Sequence, residues 1–382
     1  MYKNLASPGR VAPRAACVGL FLLAALGLGA PAESSAQAQP PVGDPVRAAF
    51  VYVSPITPAG WTRQHEDARQ AVEARLNRPG QPPQVRTTYV ENVPEGPDAE
   101  RVIRDLAATG HQIIFTPSFG YMEPTLRVAR DFPQVKFESI TGYKQADNVA
   151  VANARYYEGR YLAGIAAGRL ATQAGYVAGF PIPEVVQGIN AFALGMRSVN
   201  PQAQVRVVFL GEWFNPARER DAAMTLMNQG AEVLAFHTGS TAVMSAAQER
   251  GKLAVAYHSD MRAFAPDAQL LAITHQWADY YTSRVQAVRT GQWKSEALWG
   301  GVKEGMIRVD AFGPRTPADV REEVMLRQAE MAQGRLQPFR AGAQGIRSNE
   351  GTLMVPPGQA LSDTEILNMN WFAEGVMARL PR

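Results

Sequence analysis

The sequence predicts an α/β protein with two successive doubly wound parallel sheets, each flanked by helices. Residues 205–261 show the pattern most clearly, because short apolar runs at Val205–Leu210, Val233–Phe236 and Leu253–Tyr257 alternate with helical patterns. Runs this short and continuous are typical of strands buried on both faces. Strands that alternate with helices form parallel sheets, so this segment predicts one such sheet.

The same alternation occurs earlier in the chain and predicts the other sheet. The strand patterns lie at 46–53, 84–90, 112–116, 136–140 and 147–153. Helical patterns lie at 62–76, 99–109, 123–131 and 156–172, and the second set of elements starts at 175. After that set we expect a helix at 278–289, one strand at 299–309 and an irregular tail at 311–382 with one late helix at 363–378.

The first 38 residues have the features of a secretory signal. A basic start precedes an apolar run at Ala15–Ala30 and a small-residue cleavage site at Ala36-Gln37-Ala38. The run is too short to span a bilayer comfortably. Cys17, the only cysteine, lacks the small apolar residues that precede a lipidated cysteine. We therefore expect export, cleavage near Ala38, no lipid anchor and a mature chain without thiols.

Charge and length limit the possible partners. Without the first 38 residues the formal charge falls from +3 to +1, with 35 basic and 34 acidic residues. A charge near zero argues against a nucleic-acid or anionic-membrane partner. The remaining 344 residues are enough for two domains, preceded by a short linker at 39–45.

The ends of the predicted strands carry the candidate site. In parallel sheets, ligands bind outside the carboxyl ends of the strands. Those ends carry Glu-Trp-Phe-Asn-Pro at 212–216, His-Thr-Gly-Ser-Thr at 237–241 and His-Ser-Asp-Met at 258–261. An aromatic ring, small hydroxyls such as that of Thr238 and a carboxylate would meet at one edge. This set favours a small polar or aromatic ligand.

Aromatic residues follow strands in both halves of the chain. Trp61 and Trp213 occupy corresponding strand-end loops, where an indole can stack on a flat ligand or pack in the core. Phe119 and Tyr121 lie in another such loop, and Gly120 between them permits close backbone approach. A turn with one buried ring fits that loop equally well.

The polar residues do not form a recognisable catalytic or metal site. Asp260 can bind ligand N–H or hydroxyl groups or cap a helix. His258, Ser259 and Asp260 are consecutive, and side chains of neighbouring strand residues point to opposite faces, so they do not form a triad. The five histidines include no i, i+4 pair. Phosphate-loop, dinucleotide and nucleophile-elbow motifs are also missing, so we expect no enzyme, cofactor or metal.

Several ordered stretches resemble a known family. They include VYVSPITPAGWTRQHEDAR, FTPSFGYMEPTLRVARDFPQVKFE, DNVAVANARYYEGRYLAGIAAG, IPEVVQGINAFALGMRSVNP and WFNPARERDAAMTLMNQGAEV. The chain from about Val46 to Val309 is similar to the basic membrane protein family of ABC-transporter substrate-binding proteins, which includes purine nucleoside receptors. The resemblance implies a two-lobed periplasmic-binding fold of the first class, with hinge closure on the ligand.

The resemblance also implies lobe boundaries and site residues. One lobe would comprise 46–147 plus about 275–297, and the other 148–274 plus about 298–382. The family stacks its base between two aromatics, which match Trp61 and Trp213 here, and Asp260 matches a sugar-binding aspartate. The ribose-binding lysine of the family falls near Trp277. The predicted ligand-binding residues are Trp61, Gln64, Phe119, Gly120, Tyr121, Trp213, Thr238, Asp260 and Trp277.

These observations predict a monomeric periplasmic receptor that passes a purine to an inner-membrane ABC permease. The loss of the lysine at the ribose position favours a nucleobase such as adenine over a nucleoside. Four alternatives stay open: a purine nucleoside receptor, a receptor for another flat molecule, a small-molecule sensor and a nucleoside-processing enzyme. An enzyme would have to use Asp260, His65 or His258 as its acid or nucleophile.

Overall fold

The computed structural model describes residues 43–380, so the predicted signal peptide and most of the predicted linker lie outside the described residues. The strands are β1 (Val46–Val51), β2 (Val85–Val90), β3 (Ile113–Pro117), β4 (Lys136–Ile140), β5 (Val149–Ala154), β6 (Gln173–Ala178), β7 (Gln204–Phe209), β8 (Val233–His237), β9 (Leu253–His258), β10 (Gln269–His275), β11 (Ala297–Gly300), β12 (Ile307–Asp310), β13 (Ile346–Arg347), β14 (Leu353–Val355) and β15 (Val376–Met377). The helices are α1 (Trp61–Leu76), α2 (Pro97–Ala108), α3 (Met122–Asp131), α4 (Tyr156–Leu170), α5 (Pro183–Val199), α6 (Pro216–Asn228), α7 (Ala242–Glu249), α8 (Trp277–Arg289), α9 (Ala318–Ala332) and α10 (Asp363–Leu367).

Two large sheets organise the described part of the chain. The first has the order β11-β5-β4-β3-β1-β2 and is parallel throughout. The second has the order β12-β10-β9-β8-β6-β7-β15, and in it only β12 is antiparallel to its neighbour. The central strands β3 and β8 are buried along their whole length, as their continuous apolar runs require. The predicted doubly wound architecture is confirmed.

Sheet membership shows where the chain passes between the halves. β5 and β11 pair within the first sheet, although residues 148–154 and 298–300 fall in the second predicted lobe. Helix α8 packs against α1, whereas β12 and β15 extend the second sheet. The chain therefore crosses after β5, after β10 and after β11, and the exact lobe boundaries stay a prediction.

The C-terminal third departs most from the sequence-based expectations. The single strand predicted at 299–309 is wrong: β11 and β12 lie in different sheets, separated by a turn in which Gly305 has φ +73°. The tail contains α9, which buries only Val320, Val324 and Met331 and therefore has a weak apolar stripe. The late helix ends at Leu367 instead of 378, after a capping box at its start.

None of the helices within residues 43–380 is both long and apolar enough to cross a lipid bilayer.

A buried ion pair attaches α8 to the first sheet. Glu138 of β4 is fully buried and accepts hydrogen bonds from Arg284 Nε, Tyr280 Oη and Trp293 Nε1, each at 2.6 Å. Burial raises the pKa of Glu138, and Arg284 opposes that rise. These donors compensate for the loss of water around the carboxylate. Two of them belong to α8, so the helix is held against β4 of the first sheet.

Replacing Arg284 by Met should lower the free energy of unfolding by about 3–5 kcal/mol, because it leaves a buried carboxylate without its cation. Urea unfolding followed by circular dichroism measures this change. Arg75→Met is a matched control, since Arg75 pairs with Asp279 of the same helix at an exposed position. We expect the control to change stability by under about 1 kcal/mol. Equal losses in the two variants would contradict the assigned role of the buried pair.

Candidate functional site

The carboxyl ends of both sheets line one cavity. Its position follows the rule that ligands bind outside the carboxyl ends of parallel strands. Each lining residue ends a strand or follows one directly in a loop or at the start of the next helix. They are Val53, Ser54, Trp61, Ser118, Phe119, Thr141, Glu184, Trp213, Phe214, His237, Thr238, Gly239 and His258.

Trp61 enters the cavity from the first half of the chain. It is the first residue of α1, directly after the loop that follows β1. Its indole Nε1 donates a hydrogen bond to the Pro117 carbonyl at 2.9 Å. Its ring meets the His258 ring at an interplanar angle of 72°, with the centroids 5.3 Å apart. The polar atom of this indole is thus used within the protein, which leaves the ring itself for contact with a ligand.

Trp213 enters from the second half and is held by both. Its ring lies so close to the Gly179 backbone that a Cβ there would be 2.6 Å from Trp213 Cε3. Its indole Nε1 donates to Glu95 Oε1 in the first half at 3.2 Å. Phe180 packs edge-on against it, with a centroid distance of 4.8 Å. Any side chain at residue 179 would displace this indole.

The two halves touch beside the cavity. Gly60, at the N-terminus of α1, has φ +104°, and a Cβ there would lie 2.1 Å from the Gly239 carbonyl oxygen. The Gly60 amide also donates to Ser259 Oγ at 3.2 Å. Both the left-handed backbone and the close approach require glycine at this position.

Two lining residues have strained backbones. Thr141 and His258 have φ values of +68° and +72°, which residues other than glycine rarely adopt. Strain of this kind costs about 1–3 kcal/mol and concentrates at binding sites. Both residues lie in the cavity wall. The Thr141 hydroxyl has no hydrogen-bond partner within the described part of the chain.

Four histidines cluster in and behind the cavity. Burial lowers the pKa of His65 to about 3 and lowers those of His237, His258 and His275 well below the usual value. The Gln64 amide lies 3.3 Å from His258 Nδ1 and 2.8 Å from His275 Nδ1. The cluster is therefore uncharged at neutral pH. Within residues 43–380, no three metal-ligating side chains are arranged to hold an ion.

Glu184 is the carboxyl group of the cavity. It is the second residue of α5, after Pro183, and its side chain is 13 % exposed. Asn153 Nδ2 donates to Glu184 Oε2 at 3.0 Å, and His237 Nε2 lies 3.6 Å from Oε1. Burial raises the pKa of Glu184 to about 7. The dipole of α5 acts in the opposite direction, but this effect is worth only about 0.3–1 kcal/mol, or under one pKa unit.

Four of the nine predicted residues line this cavity: Trp61, Phe119, Trp213 and Thr238. Gly120 and Tyr121 lie in the adjacent loop and bind protein groups, since the Gly120 amide donates to Glu95 and the Tyr121 hydroxyl to the Val93 carbonyl. Gln64, Asp260 and Trp277 instead line an adjoining space that shares His258 with the cavity.

The two residues matched to sugar-binding positions lie in that adjoining space. Asp260 forms an ion pair with Arg262 at 2.6 Å and accepts a hydrogen bond from Gln269 Nε2 at 2.9 Å. Trp277 is 1 % exposed, and its indole nitrogen has no hydrogen-bond partner within the described residues. Neither residue lines the cavity between Trp61 and Trp213.

The structure adds site residues that the sequence analysis did not select, chiefly Glu184, His237 and Phe214. Their position in the sequence could have identified them, because each residue ends or follows a strand of the second sheet. The pair Pro183-Glu184 is typical of the first turn of a helix, where an acidic residue is common. Only the three-dimensional structure shows that this carboxyl group is buried beside His237.

Comparison with known proteins gives the family of the chain. The family model described as "ABC transporter substrate-binding protein PnrA-like" (Bmp) matches residues 45–336. A purine-binding protein of Brucella abortus is 43% identical over 88% of this chain and 94% of its own length. A putative ABC transporter glucose-binding protein of Haloferax volcanii is 35% identical over 90% of this chain and 83% of its own length.

A solved structure supports the fold. The solute-binding protein of an ABC transporter system from Conexibacter woesei superposes with a TM-score of 0.62 at 21% identity. The match covers 76% of this chain and 98% of that one. The predicted two-lobed periplasmic-binding fold is therefore confirmed. From the extent of the family match and these identities, the chain belongs to the Bmp family of PnrA-like ABC-transporter substrate-binding proteins.

Proposed function

We propose that the protein captures a purine, preferably a nucleobase such as adenine, outside the cytoplasmic membrane and delivers it to the permease of an ABC importer. The observation that carries the proposal is that Trp61 and Trp213, one from each half of the chain, line a single cavity. Two indoles suit the two faces of a flat heteroaromatic ring. The purine-binding relative from Brucella abortus supports the same ligand class.

The polar groups of the cavity favour a base over a sugar. Three lining hydroxyls already bind protein side chains within 2.8 Å: Ser54 binds Thr62, Ser118 binds Glu95 and Thr238 binds Glu219. Few polar groups are left for a ligand, notably Glu184, His237 Nδ1 and the Thr141 hydroxyl. A hexose carries hydroxyls around its whole ring, and each buried hydroxyl without a partner weakens binding. Glucose is the second candidate, because the Haloferax volcanii relative is named for it.

The same cavity favours a base over a nucleoside. Asp260 is occupied by Arg262 and Gln269, and Trp277 is buried behind His258. A ribose would therefore find no cation among the lining residues, and the carboxyl group that it would meet there is that of Glu184. Because a ribose requires polar partners of this kind, we propose a nucleobase receptor within a family that includes nucleoside receptors.

A receptor role also fits the histidines better than catalysis does. His65 and His258 are buried and uncharged at neutral pH, and Asp260 lies outside the cavity. A general acid or base works best with a pKa near the working pH, which these histidines lack. Burial does raise the pKa of Glu184 into that range, so Glu184 is the group that an assay for conversion tests. We therefore propose that the protein binds its purine without converting it, and chromatographic assay of adenosine after incubation with the protein tests this point.

Removing either indole should weaken purine binding about 5- to 150-fold, because stacking of one base on an aromatic ring is worth roughly 1–3 kcal/mol. Isothermal calorimetry with adenine on Trp61→Ala and Trp213→Ala measures the loss, and adenine should quench indole fluorescence in the unmodified protein. Trp371→Ala is the control, since Trp371 is outside the cavity lining. Unchanged affinity in two folded Ala variants would assign both indoles to packing alone.

Adenine should bind at least about tenfold more tightly than adenosine. The cost comes from the ribose hydroxyls, since each buried polar group without a partner costs about 1–3 kcal/mol. Competition calorimetry with adenine, hypoxanthine, guanine and their nucleosides, and with glucose, ranks the candidates. Equal affinities for adenosine and adenine would restore a nucleoside receptor, and tight binding of glucose alone would establish the sugar alternative.

A further inference from the structure

We propose that Glu184 selects the base through its protonation state: the neutral acid pairs with adenine, and the carboxylate pairs with a base such as guanine. This inference rests on the proposed function, since it requires a purine in the cavity between Trp61 and Trp213. It adds to that function the residue that forms hydrogen bonds with the polar edge of the base. It also makes the choice of base depend on pH.

The contacts of Glu184 leave part of its carboxyl group open to a ligand in the cavity. Glu184 lines the cavity together with both tryptophans. Asn153 Nδ2 occupies one lone pair of Glu184 Oε2 at 3.0 Å and so fixes the orientation of the carboxyl group. The other lone pair of Oε2 and the whole of Oε1 remain for a ligand, because His237 Nε2 lies 3.6 Å away, beyond hydrogen-bond distance. Asn153 is thus a positioning residue.

Four titratable neighbours of Glu184 stay uncharged over the pH range in which Glu184 titrates. Burial lowers the pKa of His237 and His258 well below its usual value and raises those of Tyr156 and Tyr257 far above theirs. The nearby cation is Arg160, which contacts the Tyr257 ring at 3.3 Å and donates to the Phe236 carbonyl at 2.5 Å. The titratable or charged groups around Glu184 are His237, His258, Tyr143, Tyr156, Tyr257 and Arg160.

The two forms of the carboxyl group complement different bases. A protonated carboxyl group offers one O–H donor beside one acceptor, whereas a carboxylate offers acceptors alone. Adenine presents an amino donor next to a ring-nitrogen acceptor, which matches the protonated form. Guanine presents a ring N–H and an amino group side by side, which are two donors and match the carboxylate.

The direction of the pH dependence follows from this pairing. Burial raises the pKa of Glu184 to about 7, so the neutral acid predominates below that pH and is lost above it. Adenine affinity should be constant at acidic pH and fall as pH rises through about 7, reaching roughly a tenfold loss by about pH 8, because only the competent fraction binds. Binding of adenine at the higher pH should then take up close to one proton. Guanine affinity should rise over the same range.

The test is calorimetry with adenine and guanine at pH 6, 7 and 8, repeated in buffers of different ionisation enthalpy to count protons. In Glu184→Gln the side-chain amide offers a donor and an acceptor without a titrating proton, as in the known pairing of Gln with adenine. We expect this variant to bind adenine equally well at all three pH values, without proton uptake, and to lose guanine binding at pH 8. Thermal unfolding checks that the variant is folded.

Glu158→Gln is the matched control. Burial also raises the pKa of Glu158 to about 7, but Glu158 accepts a hydrogen bond from the Val302 amide and lies outside the cavity lining. This variant should keep the pH profile of the unmodified protein.

Adenine affinity that does not change with pH in the unmodified protein would overturn the assignment of Glu184 and leave the purine receptor intact. An unchanged pH profile in folded Glu184→Gln, or loss of adenine binding in it, would do the same. If no purine binds to the unmodified protein at any pH, the proposed function itself fails and takes this inference with it.

Discussion

The contact between Gly60 and Gly239 is the constraint on which the site depends. A Cβ at Gly60 would lie 2.1 Å from the Gly239 carbonyl oxygen, so only glycine lets the carboxyl ends of the two sheets come this close. The same approach brings Trp213 Nε1 to 3.2 Å from Glu95 and Gln64 to 3.3 Å from His258. Several side chains beside these contacts are buried, among them Ser54, His237 and His258.

Burial of these side chains sets the chemistry of the cavity wall. Burial disfavours the charged form of every titratable group, so it lowers the pKa of His237 and His258 and raises that of Glu184. The result is a wall with aromatic faces and few free polar atoms. Such a wall suits a neutral, flat heteroaromatic ring better than a charged or heavily hydroxylated ligand. The proposed ligand class thus follows from how closely the halves approach.

Sequence patterns predict the alternating strands and helices well because these elements are continuous and buried. They fail at α9, which is largely exposed and has only a short apolar stripe. They also fail at β11 and β12, which are predicted as one strand although they lie in different sheets. For the site, strand-end position predicts Trp61 and Trp213 in the cavity wall. It does not predict Glu184, since the burial of a carboxyl group depends on elements far apart in the chain.

The ligand carried through purification gives the most direct test of the central claim, that the cavity takes a purine base. Protein exported from bacterial cells can be desalted, denatured and extracted, and the released small molecule identified and quantified by liquid chromatography with mass spectrometry. The account predicts a free purine base, recovered in near-equimolar amount from the unmodified protein. A hexose or an intact nucleoside recovered in that amount would contradict it.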